Sequence, residues 1–422
     1  MRRLTVLLLS LALLGLAYAG GASPASAAKA KVKPTPFAFY ASGFGTKLIG
    51  GDVPADSAKT AGKVLSCTNL GNIRRGNNIA DATVPGTSLS VGAATTALST
   101  IAKPAKGLYA SVARETIADI TLIDTPLGSA SIKGLTSTAR TESRKGKLNA
   151  STKIDIGRIT FQPAGGLPAQ TFPAPSPQQP VTIPGLVTLE LGRPLTRDNG
   201  DVAKAFASSL KVTLIPSNTK VTVGNARARI ERGVRTGIFS GFAAGLRGTA
   251  VDDNVKIGRN PLLQMPCVGT KGKLEERALA GVDLGGQVDV GALEVAQRSN
   301  NRAKSASGFE RANVADISLA DGALQIDGIF SKAQAKRVGG KVTKKATSGV
   351  ARIIANGEAQ ELPSPGDTLE IPGLASITPQ VVTKSRNGIE VIGLRIQLVE
   401  GDLATVDLAV SRIKIGKGVI RR

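Results

Sequence analysis

The chain has 422 residues with no histidine and two cysteines, and 54 Lys and Arg stand against 31 Asp and Glu, a formal net charge of +23. Without imidazole, Ser-His-Asp and Cys-His catalysis, histidine-ligated zinc and the imidazole proton relay are excluded as self-contained mechanisms, and two cysteines cannot build a four-thiolate metal site. A surface this basic favours anionic partners, while the absence of Trp and the scarcity of Tyr (three) and Phe (ten) leave few platforms for stacking bases or sugars.

Arg2 and Arg3 precede an apolar run from Leu4 to Leu16, followed by small residues that include Ala17-Tyr18-Ala19 and Ala25-Ser26-Ala27. That is the order of a secretory signal peptide, so residues 1–27 are expected to direct export and be removed. Residues 28–36, rich in Ala, Lys and Pro, read as a flexible tether. No later stretch approaches the roughly 20 apolar residues of a membrane span, and Lys414–Arg422 carries no apolar tail. The expected product is secreted and extracellular or wall-associated, with no transmembrane anchor after cleavage.

From Phe37 onward the chain repeats itself. Ser42-Gly43-Phe44, with a Leu and a closing Gly beyond it, returns as Ser240-Gly241-Phe242. Ile117-Ala118-Asp119-Ile120 returns as Val314-Ala315-Asp316-Ile317, and Ile132-Lys133-Gly134 as Ile326-Asp327-Gly328. Val181-Thr182-Ile183-Pro184-Gly185-Leu186 returns as Leu369-Glu370-Ile371-Pro372-Gly373-Leu374. Landmarks in one order twice over predict a tandem duplication, residues 37–233 and 234–422, with the boundary near Glu231–Thr236.

Alternation of apolar and polar residues recurs throughout, as in Leu210, Val212 and Leu214, and it predicts strands with one buried face. Leu394, Ile396 and Leu398, a turn at Glu400-Gly401-Asp402, and Val406, Leu408 and Val410 predict a hairpin. The best helical candidates, around Lys103–Ile117 and Ala292–Arg302, are short or interrupted. The expected fold is all-β, two repeats of twisted antiparallel sheets, each a sandwich or an open barrel. Pro163–Pro180, rich in Pro, Gly, Gln and Ala, reads as an exposed loop of the first repeat, with the shorter Glu361–Asp367 in its place in the second.

Ser42-Gly43-Phe44-Gly45, the Gly50-Gly51-Asp52-Val53-Pro54 turn, Ser66-Cys67-Thr68-Asn69 and Ala80-Asp81-Ala82-Thr83-Val84-Pro85-Gly86 resemble the N-terminal part of the choice-of-anchor P proteins of actinobacteria, over about residues 38–160. The resemblance implies a secreted protein of a group defined by a shared extracellular region and differing anchors, with no activity attached to it. This chain departs from the group in its C-terminal end.

Few constellations carry chemistry. Asp119 and Asp316 are duplicated between apolar neighbours and would suit general acids if the repeats met face to face, but an Asp at a strand turn more commonly serves backbone hydrogen bonding. Ser208-Ser209-Leu210-Lys211 fits Ser-x-x-Lys, yet in an alternating strand Ser208 and Lys211 point to opposite faces. Asp252-Asp253-Asn254 lacks the remaining ligands of a calcium loop. No catalytic residue, metal site or cofactor is expected. Cys67 and Cys267 stand 23 and 25 residues after Phe44 and Phe242; export and matched placement predict a Cys67–Cys267 disulfide, the alternative being two buried thiols, one in each repeat. Basic density at Arg74-Arg75, Arg227–Arg235, Lys332–Lys345 and the C-terminus marks Arg74, Arg75, Arg227, Arg229, Lys344 and Lys345 as candidate contacts to anionic cell-wall polymers. The leading expectation is a non-enzymatic, envelope-associated binding protein with no specific nucleic-acid partner. A carrier of lipid or another small apolar ligand, with a cavity lined by Leu394, Ile396 and Leu398, and a carboxylate-based glycan hydrolase are the alternatives.

Overall fold

Apolar side chains at every second position drive this chain into long antiparallel strands. The computed structural model describes residues 32–48, 59–83, 88–250, 255–283, 288–319, 322–398 and 405–418. Among them the one helical element is a 3-10 turn, Pro104–Lys106, and no helix is long and apolar enough to cross a membrane. Both helical candidates are therefore strands: Lys103 ends one, Leu108–Thr125 is another, and Leu293–Asn301 a third. Their neighbours supply cross-strand partners, which outweigh weak local helical spacing.

The strands form four sheets. Sheet I runs Val181–Ile183, Val187–Leu191, Val202–Leu214, Thr219–Arg232, Lys33–Leu48, Lys63–Gly71, and sheet III runs Leu369–Ile371, Ala375–Ser385, Gly388–Leu398, Thr405–Lys417, Gly237–Ala250, Val255–Gln264. The two orders correspond strand for strand. Sheet II, centred on Ala94–Lys103, Leu108–Thr125, Gly128–Arg144 and Lys147–Pro163, covers sheet I, and sheet IV, centred on Leu293–Asn301, Ser305–Leu319, Leu324–Val338 and Lys341–Gly349, covers sheet III. Face-to-face packing of open sheets decides for sandwiches over barrels. The expected hairpin is present, with Leu394 opposite Leu408 and Ile396 opposite Val406; its turn, Glu400–Asp402, lies outside the described residues.

Sheets I and III each begin in the Ile-Pro-Gly-Leu turn. Pro184 and Pro372 pre-set one central position, Gly185 and Gly373 take the left-handed conformation at the next (φ +72° and +73°), and the N–H groups of Leu186 and Leu374 donate to Ile183 and Ile371 carbonyls. In the first sandwich Leu189, Leu210, Val212, Val221 and Val223 of sheet I meet Ile117, Ile120, Ile132, Leu135 and Ile159 of sheet II. Leu246, Ile377, Leu394, Ile396 and Leu408 meet Leu293, Val314, Ile317, Ile326 and Ile329 in the second. Each such side chain stabilises the fold by roughly 1.5–3 kcal/mol on full burial.

Alternation breaks in the central pair of sheet I, Val202–Leu214 with Thr219–Arg232. Gly224 is left-handed (φ +66°) and, with Ser209 beside it, is skipped by the pairing, which resumes at Leu210 opposite Val223. Inward and outward positions exchange across the break, so Ala205 and Ala207 face the core on one side and Leu210, Val212 and Leu214 on the other. Ala409 (φ +48°) and Gly393 form the matching break in sheet III.

From Val32 onward the described residues belong to one compact unit. The strand Lys33–Leu48 begins inside the stretch read as tether: the buried Thr35 hydroxyl donates to the Asn69 carbonyl and Lys33 pairs with Gly71, so residues 33–36 are already sheet. The leader and residues 28–31, together with the Gly50–Pro54 turn, Asp252-Asp253-Asn254 and the last four residues, lie outside the described residues.

Candidate functional site

Cys67, on the edge strand of sheet I, is bonded to Cys267, just beyond the edge strand of sheet III, with Cα atoms 5.2 Å apart. The bridge packs among Ala38, Tyr40, Val234, Ile238 and Val268 at the joint between the sandwiches. The Arg229 guanidinium lies 3.2 Å from the Cys267 sulfur and 3.7 Å from that of Cys67, over the Tyr40 ring, and is in ion-pair contact with Glu231 at 2.7 Å. Glu231 in turn accepts the N–H groups of Cys267 and Val268. The Lys271 ammonium pairs with Asp201 across the same joint and holds that carboxyl below its ordinary range. Replacing Glu231 by Ala strands a buried cation and two backbone donors, and is expected to cost about 3 kcal/mol in urea unfolding; a loss below about 1 kcal/mol would show that the joint does not depend on it.

The outer face of sheet I bears a different chemistry. Cross-strand register places Lys47, Thr222 and Lys211 in one row, Phe44, Asn225 and Ser208 in the next, and Ser42, Arg227 and Phe206 beyond. Ser176, Pro177 and Pro180 rise from the loop after the strand Gln170–Phe172 as one wall, with Gly192 and Arg193 beside them, enclosing a cleft of about 780 Å³. The longer loop of the first half thus forms one wall of the cleft. Lys59 lies 4.9 Å over the Phe44 ring and Arg227 4.5 Å over Phe206, so both rings carry a cation. Lys47, Lys59, Arg193, Lys211 and Arg227 face one carboxylate, Glu190. Among the described residues, no carboxylate lies within ion-pair distance of Arg193, Lys211 or Arg227.

On the corresponding face of sheet III the arginines are ion-paired, three of them sharing two carboxylates. Arg247 pairs with Glu390 at 2.9 Å and Asp407 at 2.8 Å, Arg395 with Asp407 at 2.7 Å, and Arg412 with Glu390 at 3.6 Å. Arg259 covers Phe242, the counterpart of Phe44, at 4.0 Å.

The six basic residues singled out in the sequence are scattered. Arg227 lines the cleft, Arg229 is taken up by Glu231 and the disulfide, and Arg74 and Arg75 lie exposed on the strand Arg74–Ile79 at an end of sheet II. Lys345 faces outward on sheet IV, whereas Lys344 turns inward and donates to the Ser385 carbonyl at 2.9 Å. Asp119 is exposed and pairs with Lys133 at 3.3 Å; Asp316 is likewise exposed, on the matching strand of sheet IV. Ser208 and Lys211 both line the cleft, contrary to the expectation from simple alternation, because the break at Ser209 and Gly224 lies between them. No hydrogen bond joins the two among the described residues, so the pair forms no Ser-Lys dyad. Leu394 and Ile396 are fully buried in the packed core.

Among the described residues, four buried carboxyls were not singled out in the sequence: Glu231 and Asp407, paired with arginines as above, and Glu115 and Glu310. Glu115 is wholly buried, and burial pushes its pKa up to about 8 against the lowering contact with Thr96. The Thr96 hydroxyl is within hydrogen-bond reach of both the Ala61 carbonyl, at 2.7 Å, and the Glu115 carboxyl; having one proton to donate, it satisfies both contacts only when Glu115 is protonated and donates to it. Glu310 is equally buried, raised by burial and by the nearby Glu275, with neither carboxyl oxygen bonded; opposite it stands Gln297, whose side-chain carbonyl also lacks a donor. For Glu115 and Glu310 the available signal was a glutamate at an inward position of an alternating strand, as in Ala113-Arg114-Glu115-Thr116-Ile117.

Neither a model of a known protein family nor a curated protein sequence matches the chain.

Proposed function

We propose that this is a non-enzymatic, exported, internally duplicated protein of the cell envelope that holds acidic wall polymers in the cleft on sheet I. The resemblance to the choice-of-anchor P proteins and the N-terminal leader pattern support the location. One observation carries the binding role: matched faces of the two sandwiches differ in charge pairing, with Arg193, Lys211 and Arg227 of the cleft outside ion-pair distance of any carboxylate among the described residues, and Arg247, Arg395 and Arg412 paired on the counterpart. Removing acidic partners from a ring of cations costs stability through mutual repulsion, and an anionic ligand restores the balance. The mixed floor of Asn225, Ser208, Thr222 and phenyl rings suits a chain that alternates anionic groups with hydroxyl-bearing units.

Binding to purified cell walls tests this reading. Retention should fall steeply as salt rises, and Lys211→Ala/Arg227→Ala should weaken it by roughly ten-fold, with a salt slope shallower by about 1–2. Retention that is indifferent to salt and equal in the variant would refute the proposal.

A further inference from the structure

A second basic face lies on sheet IV. Its register aligns Arg298, Phe309, Gln334 and Lys345 in one row across four strands, Asn300, Ser307, Lys336 and Thr343 in the row on one side, and Ala296, Arg311, Lys332 and Thr347 on the other. Adjacent strands are about 4.8 Å apart and rows on one face about 6.8 Å apart, so the cations form a lattice on the scale of a polymer repeat. A depression of about 380 Å³ opens over the Phe309 row. Five cations occupy the lattice; at its border Glu276 reaches Arg311 at 3.5 Å and Glu294 stands one row further out. Among the described residues Arg298, Lys336 and Lys345 have no carboxylate within ion-pair distance.

The first sandwich does not repeat this face. Where Ile326-Asp327-Gly328 matches Ile132-Lys133-Gly134, the places of Lys332, Gln334 and Lys336 are taken on sheet II by Thr138, Arg140 and Glu142, and the last two pair with each other at 2.6 Å. The cation rows around Phe309 are therefore not reproduced at the matching positions of sheet II.

We propose that the Phe309 face of sheet IV is a second binding site, specific for a phosphodiester chain of polyols or sugars, so that one molecule engages an acidic polymer at two places. This rests on the reading that the protein binds anionic chains and adds a site which that reading does not require. Arg298, Lys336 and Lys345 meet the phosphates, and the Gln334 and Asn300 amides meet the hydroxyls between them. Lys332 stands 4.6 Å over the Phe309 ring and occupies the surface a nucleobase would stack on, which disfavours single-stranded nucleic acid.

Calorimetric titration of the protein with a short poly(glycerol phosphate) oligomer tests the assignment. The expected stoichiometry is two oligomers per protein, falling to one in Lys336→Ala/Lys345→Ala and to one in Lys211→Ala/Arg227→Ala. Lys103→Ala/Lys106→Ala, which removes equal charge at exposed positions elsewhere, should leave it at two. On a long chain of the same polymer either site variant should lose more than ten-fold in apparent affinity, because the second engagement is intramolecular. A wild-type stoichiometry of one, unaltered in Lys336→Ala/Lys345→Ala, overturns the second site and leaves the cleft standing. No binding by the wild type overturns both. All these side chains are surface positions, and unchanged thermal melts of the variants keep a loss of binding from being a loss of fold.

Discussion

Cys67→Ser/Cys267→Ser is expected to lower stability by about 5 kcal/mol, the chain-entropy value for a closed loop of this length. The bridge joins residues 200 positions apart, and each sandwich has its own core, Leu210 and Ile132 in one and Leu394 and Ile326 in the other. The two cores are joined through the small cluster of Cys67, Cys267, Tyr40, Ile238 and Val268, held by Glu231 and Arg229, with the Lys271–Asp201 pair beside it. Without the covalent link, Arg229 faces hydroxyls in place of the sulfurs, and the sandwiches depend on the remaining contacts to unfold together. Urea unfolding of the oxidised wild type should therefore be one transition and that of the variant two, the first at markedly lower urea. Superimposable curves would mean that the joint is held without the bridge.

The second large effect is a pH dependence from Glu115. Its carboxyl is raised from 4.5 to about 8, so between these values the folded protein keeps a proton that the unfolded chain has released. The resulting stabilisation is fully present below about pH 4.5 and is lost as the pH climbs through 8, by at most about 5 kcal/mol for a shift of this size. Glu310, raised in the same direction, adds to the slope. Among the described residues the anion is offered little: the Thr96 hydroxyl, whose one proton is contested by the Ala61 carbonyl, and the backbone of Gly43 beside the Asn225 carbonyl. Glu115→Gln, close in shape to the protonated acid, should match the wild type near pH 5 and exceed it at pH 9, with Glu115→Gln/Glu310→Gln flatter still. Stability of wild type and Glu115→Gln falling in parallel from pH 5 to 9 in urea titrations would exclude a buried proton at this residue.

Much of this architecture is legible in the order of residues. Alternation in Leu210-x-Val212-x-Leu214 and Leu394-x-Ile396-x-Leu398 specifies strands with one buried face, because a strand's side chains alternate whatever their neighbours do. Pro184-Gly185 and Pro372-Gly373 mark turns for an equally local reason: proline restricts one dihedral and glycine alone enters the left-handed region freely. Two cysteines at matched places are enough to anticipate the bridge. The remaining features depend on contacts between strands far apart in the chain. Ser208 and Lys211 share a face only because Gly224, on the adjacent strand, breaks the alternation of both strands together. Arg247 is paired with Glu390, 143 residues away, while Lys211, although set opposite Glu190, and Arg227 make no ion pair among the described residues. Composition sums the charge of +23, but whether a cation is spent within the protein or left for a ligand is decided by which strand the tertiary fold sets beside it, since ion pairing acts over a few ångströms of space and takes no account of distance along the chain.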